Sequence, residues 1–239
     1  MTDGWDTSAE AWIADMSGGG DYSRRAVLDR PMMARVDAAA PRRVLDVGCG
    51  EGRFCRMMAA PGREITGLDP TLRLLEEARG QDPDAPPARY IEGRAEALPF
   101  ADSAFDLVVS YLSLIDIPDA RAGLAEMARV VAPGGHLLIA NLTPLATASQ
   151  IKDGGWRRDA EGVPTMAITR YLEEHSHQAS WRGISIRNWH RPLAVYMQAL
   201  LSEGLRLTHF DEPASHDPDP KRAARYNGAP YFLIMEWQK

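Results

Sequence analysis

From residue 43 onward the apolar positions fall into short blocks that alternate between two periods. Val44, Leu45 and Val47 form a β-branched and aliphatic run suited to a buried parallel strand over Arg43–Val47, and a helical stretch follows over 53–60. The same alternation predicts a second strand over 64–68, a helix over 71–78 that Pro70 can open, and a short third strand around 89–91. FDLVVS (105–110) reads as a buried fourth strand. RVVAPGGHLLIAN (129–141) reads as a helix end, a Pro-Gly-Gly turn and a fifth strand, the glycines ending one element and starting the next. Strand and helix in alternation imply a parallel sheet with helices on both faces.

The flanks are less regular. Ser8 is placed to cap a short helix, AEAWIADM, which runs into the flexible hinge Gly18-Gly19-Gly20, and a second helical stretch covers 22–36. Between 142 and 191, KDGGWRRDAEGVP looks like loop, ITRYLEEHSH like a short helix and ISIRNWH like a strand. Excursions of this length between core elements usually carry function, so this one is read as an acceptor-binding cap. A helix that Pro192 starts and Gly204 ends comes next. Strands at 205–210 and 231–237 then form an antiparallel pair, with the Pro- and Asp-rich stretch 211–230 as a surface loop.

The 239 residues can bury one sizeable α/β core. Lys and Arg number 27 against 33 Asp and Glu, a net charge of −6, which argues against a general nucleic-acid binder. No apolar run reaches the roughly 20 residues of a membrane span, and MTDGWDTSAEAW lacks a basic start and an apolar signal core, so a cytoplasmic protein without a membrane partner is expected. Cys49 and Cys55 are too few for a disulfide framework or a zinc site, and no metal is expected.

The chemistry concentrates in VLDVGCGEGRF (44–54). A strand, a glycine turn and a helix start make a site for a nucleoside-bearing ligand, because the backbone must turn sharply and approach the ligand without a Cβ in the way. Asp69 stands 19 residues beyond Gly50, about where a second strand presents an acid to a ribose diol. The glycine spacing is GxGxG, with Arg53 where a dinucleotide fingerprint has its third glycine. Asp46, two residues before the first glycine, repels phosphate and suits an ammonium. A nicotinamide oxidoreductase is disfavoured on both counts.

At these residues the chain resembles the class I S-adenosylmethionine-dependent methyltransferases, whose first motif is an acid followed by GxGxG. Their ligand carries an α-amino group, a sulfonium and a ribose but no phosphate. The resemblance spans about 40–141, and further residues extend it. His190-Arg191-Pro192-Leu193 followed by a Tyr-bearing helix, Gly204-Leu205 and Glu212-Pro213 resembles a small-molecule branch of the ubiquinone/menaquinone-biosynthesis type. The implied fold is α/β: a Rossmann-like, doubly wound, mostly parallel seven-stranded sheet of order 3-2-1-4-5-7-6 with the last strand antiparallel. Its organisation would be an N-terminal helical lid (1–42), a cofactor core (43–141), the cap (142–191) and elements completing the core (192–239), all in one domain.

The implied cofactor is S-adenosylmethionine, leaving as S-adenosylhomocysteine. On this resemblance Asp46, Gly48, Cys49, Gly50, Asp69, Pro70, Ala95, Glu96, Ser110 and Tyr111 meet the cofactor, with Tyr22 and Arg25 reaching over from the N-terminal helices. Trp12, Asp21, Tyr111, Ser113, Trp189 and His190 face the acceptor, and Trp5 is a further lid candidate. Ser110-Tyr111-Leu112-Ser113 is neither the Asn/Asp-Pro-Pro-aromatic sequence of amino-directed DNA methyltransferases nor the Pro-Cys of cytosine-C5 enzymes, which moves nucleic acid down the list of acceptors.

Methyl transfer requires a nucleophile aligned with an activated methyl group and shielded from water. A nucleophile that loses a proton also needs a base. Among the six histidines, His190, at the mouth of the cap beside Trp189, is the expected one. The function expected is methyl transfer to an O, N or C nucleophile of a small, aromatic or heteroaromatic metabolite by a monomer or homodimer. The alternatives are a catalytically inactive cofactor-binding regulatory protein, or a protein or RNA methyltransferase.

Overall fold

A computed structural model describes residues 3–81, 88–149 and 155–239. Seven strands form one sheet: β1 (Arg43–Val47), β2 (Glu64–Asp69), β3 (Arg89–Glu92), β4 (Phe105–Tyr111), β5 (Val131–Leu142), β10 (Arg206–Asp211) and β11 (Phe232–Gln238). They lie in the order β10-β11-β5-β4-β1-β2-β3, the order expected from the sequence. β1 to β5 run parallel, and β11 lies antiparallel to both β5 and β10.

Strand residues alternate between the two faces, so β1, β2, β4, β5 and β11 each contribute to two cores. On one face Leu45, Val108, Leu137, Leu233 and Trp237 pack against Leu124 and Met127 of α5 (Ala120–Val130) and Tyr196 and Leu200 of α7 (Leu193–Ser202). On the other, Val44, Leu107, Val109, Leu138 and Ile234 meet Met32 and Val36 of α2 (Asp29–Ala39), Phe54 and Met58 of α3 (Arg53–Met58) and Leu75 of α4 (Leu72–Gln81). Each such buried side chain contributes about 1.5–3 kcal/mol of transfer free energy.

A third, smaller core builds the roof over the carboxyl ends of the strands. α1 (Trp5–Met16) lays Ala9, Trp12 and Met16 against Leu74 and against Ile184 and Ile186 of β9 (Ile184–His190). Ser8 and Ser185 exchange hydrogen bonds across this seam. Ser8 therefore lies inside α1 rather than capping it, and the helix starts after Gly4, whose backbone is left-handed.

The excursion after β5 also differs from its sequence reading. After a short α6 (Pro144–Ala148), two hairpins stand where loop, helix and strand were expected: β6 (Gly155–Arg158) with β7 (Pro164–Ala167), and β8 (His175–Trp181) with β9. ITRYLEEHSH is a turn leading into β8, not a helix. Its hydrogen-bonding capacity goes across the hairpin: His175 pairs with His190 and Ser176 with Trp189. Residues 152–154 of the expected loop fall outside the described residues. In the stretch read as surface loop, α8 (Pro220–Asn227) forms because Asp219 caps Lys221 N–H and Pro220 takes the first helical turn.

Candidate active site

The site is built at the carboxyl end of β1, where the chain turns through Gly48, Gly50 and Gly52, all at positive φ. A Cβ at Gly48 would run into the side chain of Ser113, whereas a Cβ at Gly50 would have only the Trp12 indole nitrogen, 3.6 Å away, within contact range. Gly48 is required by packing, and Gly50 leaves its face open. Asp69, at the end of β2, holds the corner in place: one carboxylate oxygen accepts from the Gly50 N–H at 3.0 Å and the other from the Thr71 N–H at 2.8 Å. Burial raises its pKa to about 6 against those two bonds.

Asp46 is the electrostatic oddity of the corner. It is almost wholly buried, one oxygen accepts from the Cys55 thiol at 3.5 Å, and the other has no hydrogen-bond partner. Burial pushes its pKa to about 7. A buried carboxyl with an orphan oxygen costs stability unless a donor or cation arrives from outside the chain. Asp46, Gly48, Cys49 and Gly50 line a recess of about 40 Å³ between α1 and the corner.

Above the corner lies a cavity of about 800 Å³. Of the residues expected on the cofactor, Gly48, Gly50, Asp69, Pro70, Ala95, Glu96, Tyr111 and Tyr22 line it. Trp12, Asp21 and Ser113, expected on the acceptor, line it too. Leu112, with φ 56°, turns the chain at the end of β4 so that Ser113 doubles back beneath Gly48. The Ser113 hydroxyl donates to the Val47 carbonyl at 2.6 Å and accepts from Ser110 at 2.8 Å. Ser110 is thereby fully buried behind Ser113 and does not reach the cavity.

Three other expected residues stand elsewhere. Arg25 is exposed, and its neighbour Arg24 takes the inward place: its guanidinium pairs with Asp21 and lies 4.9 Å from the centre of the Trp12 ring and 5.6 Å from that of Tyr111. Trp189 points away from the cavity, with the Arg191 guanidinium 5.3 Å from its ring. His190, expected at the mouth of the cap, is fully buried and outside the cavity. Its Nε2–H donates to the Tyr171 carbonyl at 2.8 Å, so Nδ1 accepts from the Thr147 hydroxyl at 2.6 Å. With both ring nitrogens engaged and its pKa lowered by burial, the imidazole holds the base of the cap together and is not presented to a substrate.

The sequence reading passed over residues that the cavity does contain. Asp116 and Asn188 lie on its wall, and Tyr226 of α8 and Tyr231 add aromatic surface beside Trp5, the lid candidate offered by the sequence. Asp116 lies in the stretch SLIDIPD (113–119), just beyond β4, and β9 is stitched to that loop. The Trp189 N–H donates to the Ile115 carbonyl at 2.8 Å, and Arg191 donates to the Ile117 and Pro118 carbonyls at 2.7 Å each.

The family profile described as "Methyltransferase domain" matches residues 45–139, the span that holds the glycine corner, Asp69 and Asp116. A demethylmenaquinone methyltransferase of Beutenbergia cavernae is 30% identical over 185 residues, covering 69% of this chain and 74% of its own. The chain belongs to the class I S-adenosylmethionine-dependent methyltransferases. A malonyl-[acyl-carrier protein] O-methyltransferase of Pectobacterium atrosepticum is 37% identical to this methyltransferase over 167 residues, 66% of this chain and 64% of that one. Among solved structures, an S-adenosylmethionine-dependent methyltransferase from Mesorhizobium loti superposes with a TM-score of 0.74 at 28% identity, covering 86% of this methyltransferase and 96% of the other chain.

S-adenosylmethionine is therefore the cofactor, and when bound it supplies a methyl group on a sulfonium. The residues present fit it. The orphan oxygen of Asp46 suits a cationic donor, the open face of Gly50 admits a ligand against the backbone, and the acids Asp46, Asp69 and Glu51 around the corner suit a ligand without phosphate. Among the described residues no helix is long and apolar enough to cross a membrane, and no cluster of ligating side chains forms a metal site.

Proposed function

We propose that this methyltransferase acts on a small, aromatic or heteroaromatic metabolite, at an O, N or C nucleophile. The observation that carries the reading is the roof. α1 and the β8–β9 hairpin close over the carboxyl ends of the strands, and the chamber beneath them presents Trp5, Trp12, Tyr226 and Tyr231. Its volume of about 800 Å³ falls within the usual range for small-ligand sites. Flat rings pack on such surfaces edge-on or offset, gaining about 0.5–1.5 kcal/mol per ring pair beyond burial. The similarity to a demethylmenaquinone methyltransferase, named for a quinone-type acceptor, points the same way.

In this reading Asp69 meets the ribose and Ala95 and Glu96 flank the adenine. Asp46 serves the α-ammonium end, and Arg24, rather than Arg25, answers the carboxylate. The protein's own contribution to the chemistry is to align the two reactants and to keep water out beneath the roof. Incubation with methyl-labelled S-adenosylmethionine and the small-molecule fraction of a cell extract tests it. Label in a low-mass aromatic product supports the reading. Label only in protein or RNA replaces it with a macromolecular acceptor, and cofactor binding without any transfer replaces it with a regulatory role.

A further inference from the structure

Asp116 is a carboxyl on the cavity wall that the cofactor assignment does not use. It comes from the loop after β4, at the carboxyl ends of the strands. The Asn188 amide of β9 donates to its Oδ1, and the Trp5 indole also donates toward it. Both donors are neutral. Asp21 is paired with Arg24, Asp15 with Arg182 and Asp3 with Arg187, whereas no ion pair joins Asp116 among the described residues. The loop cannot swing this carboxyl away easily, because Arg191 and the Trp189 N–H clamp it at Ile115, Ile117 and Pro118. The result is a rigidly held carboxyl on the wall of the chamber, flanked by Ile115 and Ile117.

From this placement we infer that Asp116 recognises the acceptor, receiving a hydrogen bond from an N–H or O–H nucleophile and taking its proton during transfer. The inference rests on the small-molecule reading above and narrows its acceptor to one bearing a heteroatom-bound hydrogen. As the acceptor's heteroatom forms its bond to the transferred carbon, its proton passes to the Asp116 carboxylate, and the electron pair of the breaking carbon–sulfur bond stays on sulfur. The surroundings make the carboxylate a capable base. Burial raises its pKa to about 8, with the negative charge of Asp69 adding to the rise and Asn188, Trp5 and Arg24 opposing it.

The test uses the full chain saturated with S-adenosylhomocysteine, at about pH 8.5 so that the carboxylate is ionised. Phenol and aniline are compared with anisole and N,N-dimethylaniline, which lack the donor hydrogen, by ligand-observed NMR. The wild type is expected to prefer the donor-bearing member of each pair by about 10-fold or more, the size of a hydrogen bond to a charged acceptor. Asp116→Asn should abolish the preference while binding S-adenosylhomocysteine as before, since an amide keeps an oxygen for the Asn188 N–H. No preference in the wild type, including no binding of any probe, overturns the inference, and so does a preference that survives in Asp116→Asn. Failure of the small-molecule reading registers separately, as absence of label in any low-mass product.

Discussion

The Thr147 hydroxyl and the His190 imidazole meet at 2.6 Å in a fully buried contact, with the Tyr171 carbonyl closing the other side of the ring. This arrangement gives His190 a mechanical task. His190→Ala leaves the buried Thr147 hydroxyl only its 3.3 Å bond to the Pro144 carbonyl and takes the partner from the half-buried Tyr171 carbonyl, a loss of about 1–3 kcal/mol in all. The expected outcome is a clear fall in Tm with unchanged affinity for S-adenosylhomocysteine, checked by calorimetry on the same samples.

The same ring gives stability a pH dependence. Its folded-state pKa is lowered below 6.5, as is that of His177, so the unfolded chain binds these protons more readily than the folded one. Their contribution is complete above about pH 6.5 and drains away as the pH falls through the lower folded values. In His190→Gln the slope of Tm between about pH 5 and pH 6.5 should be shallower than in the wild type.

Cofactor affinity should also rise with pH, here because of the acids. Asp46 and Asp69 titrate at about 7 and about 6 in the free protein, and a cationic ligand favours their ionised forms. Affinity for S-adenosylmethionine is expected to rise with pH through about 6–7 and level off above. Calorimetric titrations across that interval measure it. Asp46→Asn should flatten the upper part of the curve.

The corner glycines should separate packing from binding. Gly48→Ala forces a Cβ into Ser113 at a left-handed position, so a severe loss of stability is expected. Gly50→Ala meets only the Trp12 indole at 3.6 Å and carries only the left-handed backbone strain, of order 1–2 kcal/mol. The second variant should fold and still lose cofactor affinity, because its methyl occupies the open face. Thermal melts with and without S-adenosylhomocysteine distinguish the two.

Arg24 and Arg25 form a matched pair for mutagenesis. Arg24→Ala removes a guanidinium packed on Trp12 and Tyr111 inside the cavity, and Arg25→Ala removes an exposed one. A loss of about 10-fold or more in cofactor affinity is expected for the first and none for the second.

These residues also show which parts of the site sequence could reveal. The corner was legible because its requirements are local: positive φ at fixed glycines, and an acid at the end of the next strand. The arginines were not, because the turn Arg24–Leu28 is π-helical and its extra residue per turn shifts the phase that decides which of two neighbours faces inward. β9 obeys the period of two: Ile184, Ile186, Asn188 and His190 are buried on one side, while Trp189 turns to the other. That alternation would have favoured Asn188 over Trp189, but how far along the strand the cavity extends depends on where α1 settles, which no local pattern records. Asp219-Pro220 was a helix-start signal already present in the stretch read as loop.

The seam between α1 and β9 joins parts of the chain that are 177 residues apart at Ser8 and Ser185, and Arg182 to Asp15 reinforces it. A ceiling made this way depends on both of its halves. Severing the chain at the triple glycine would strip the hairpin of its support as well as removing the helix, so a nick at that point should unroof both the donor and the acceptor ends together.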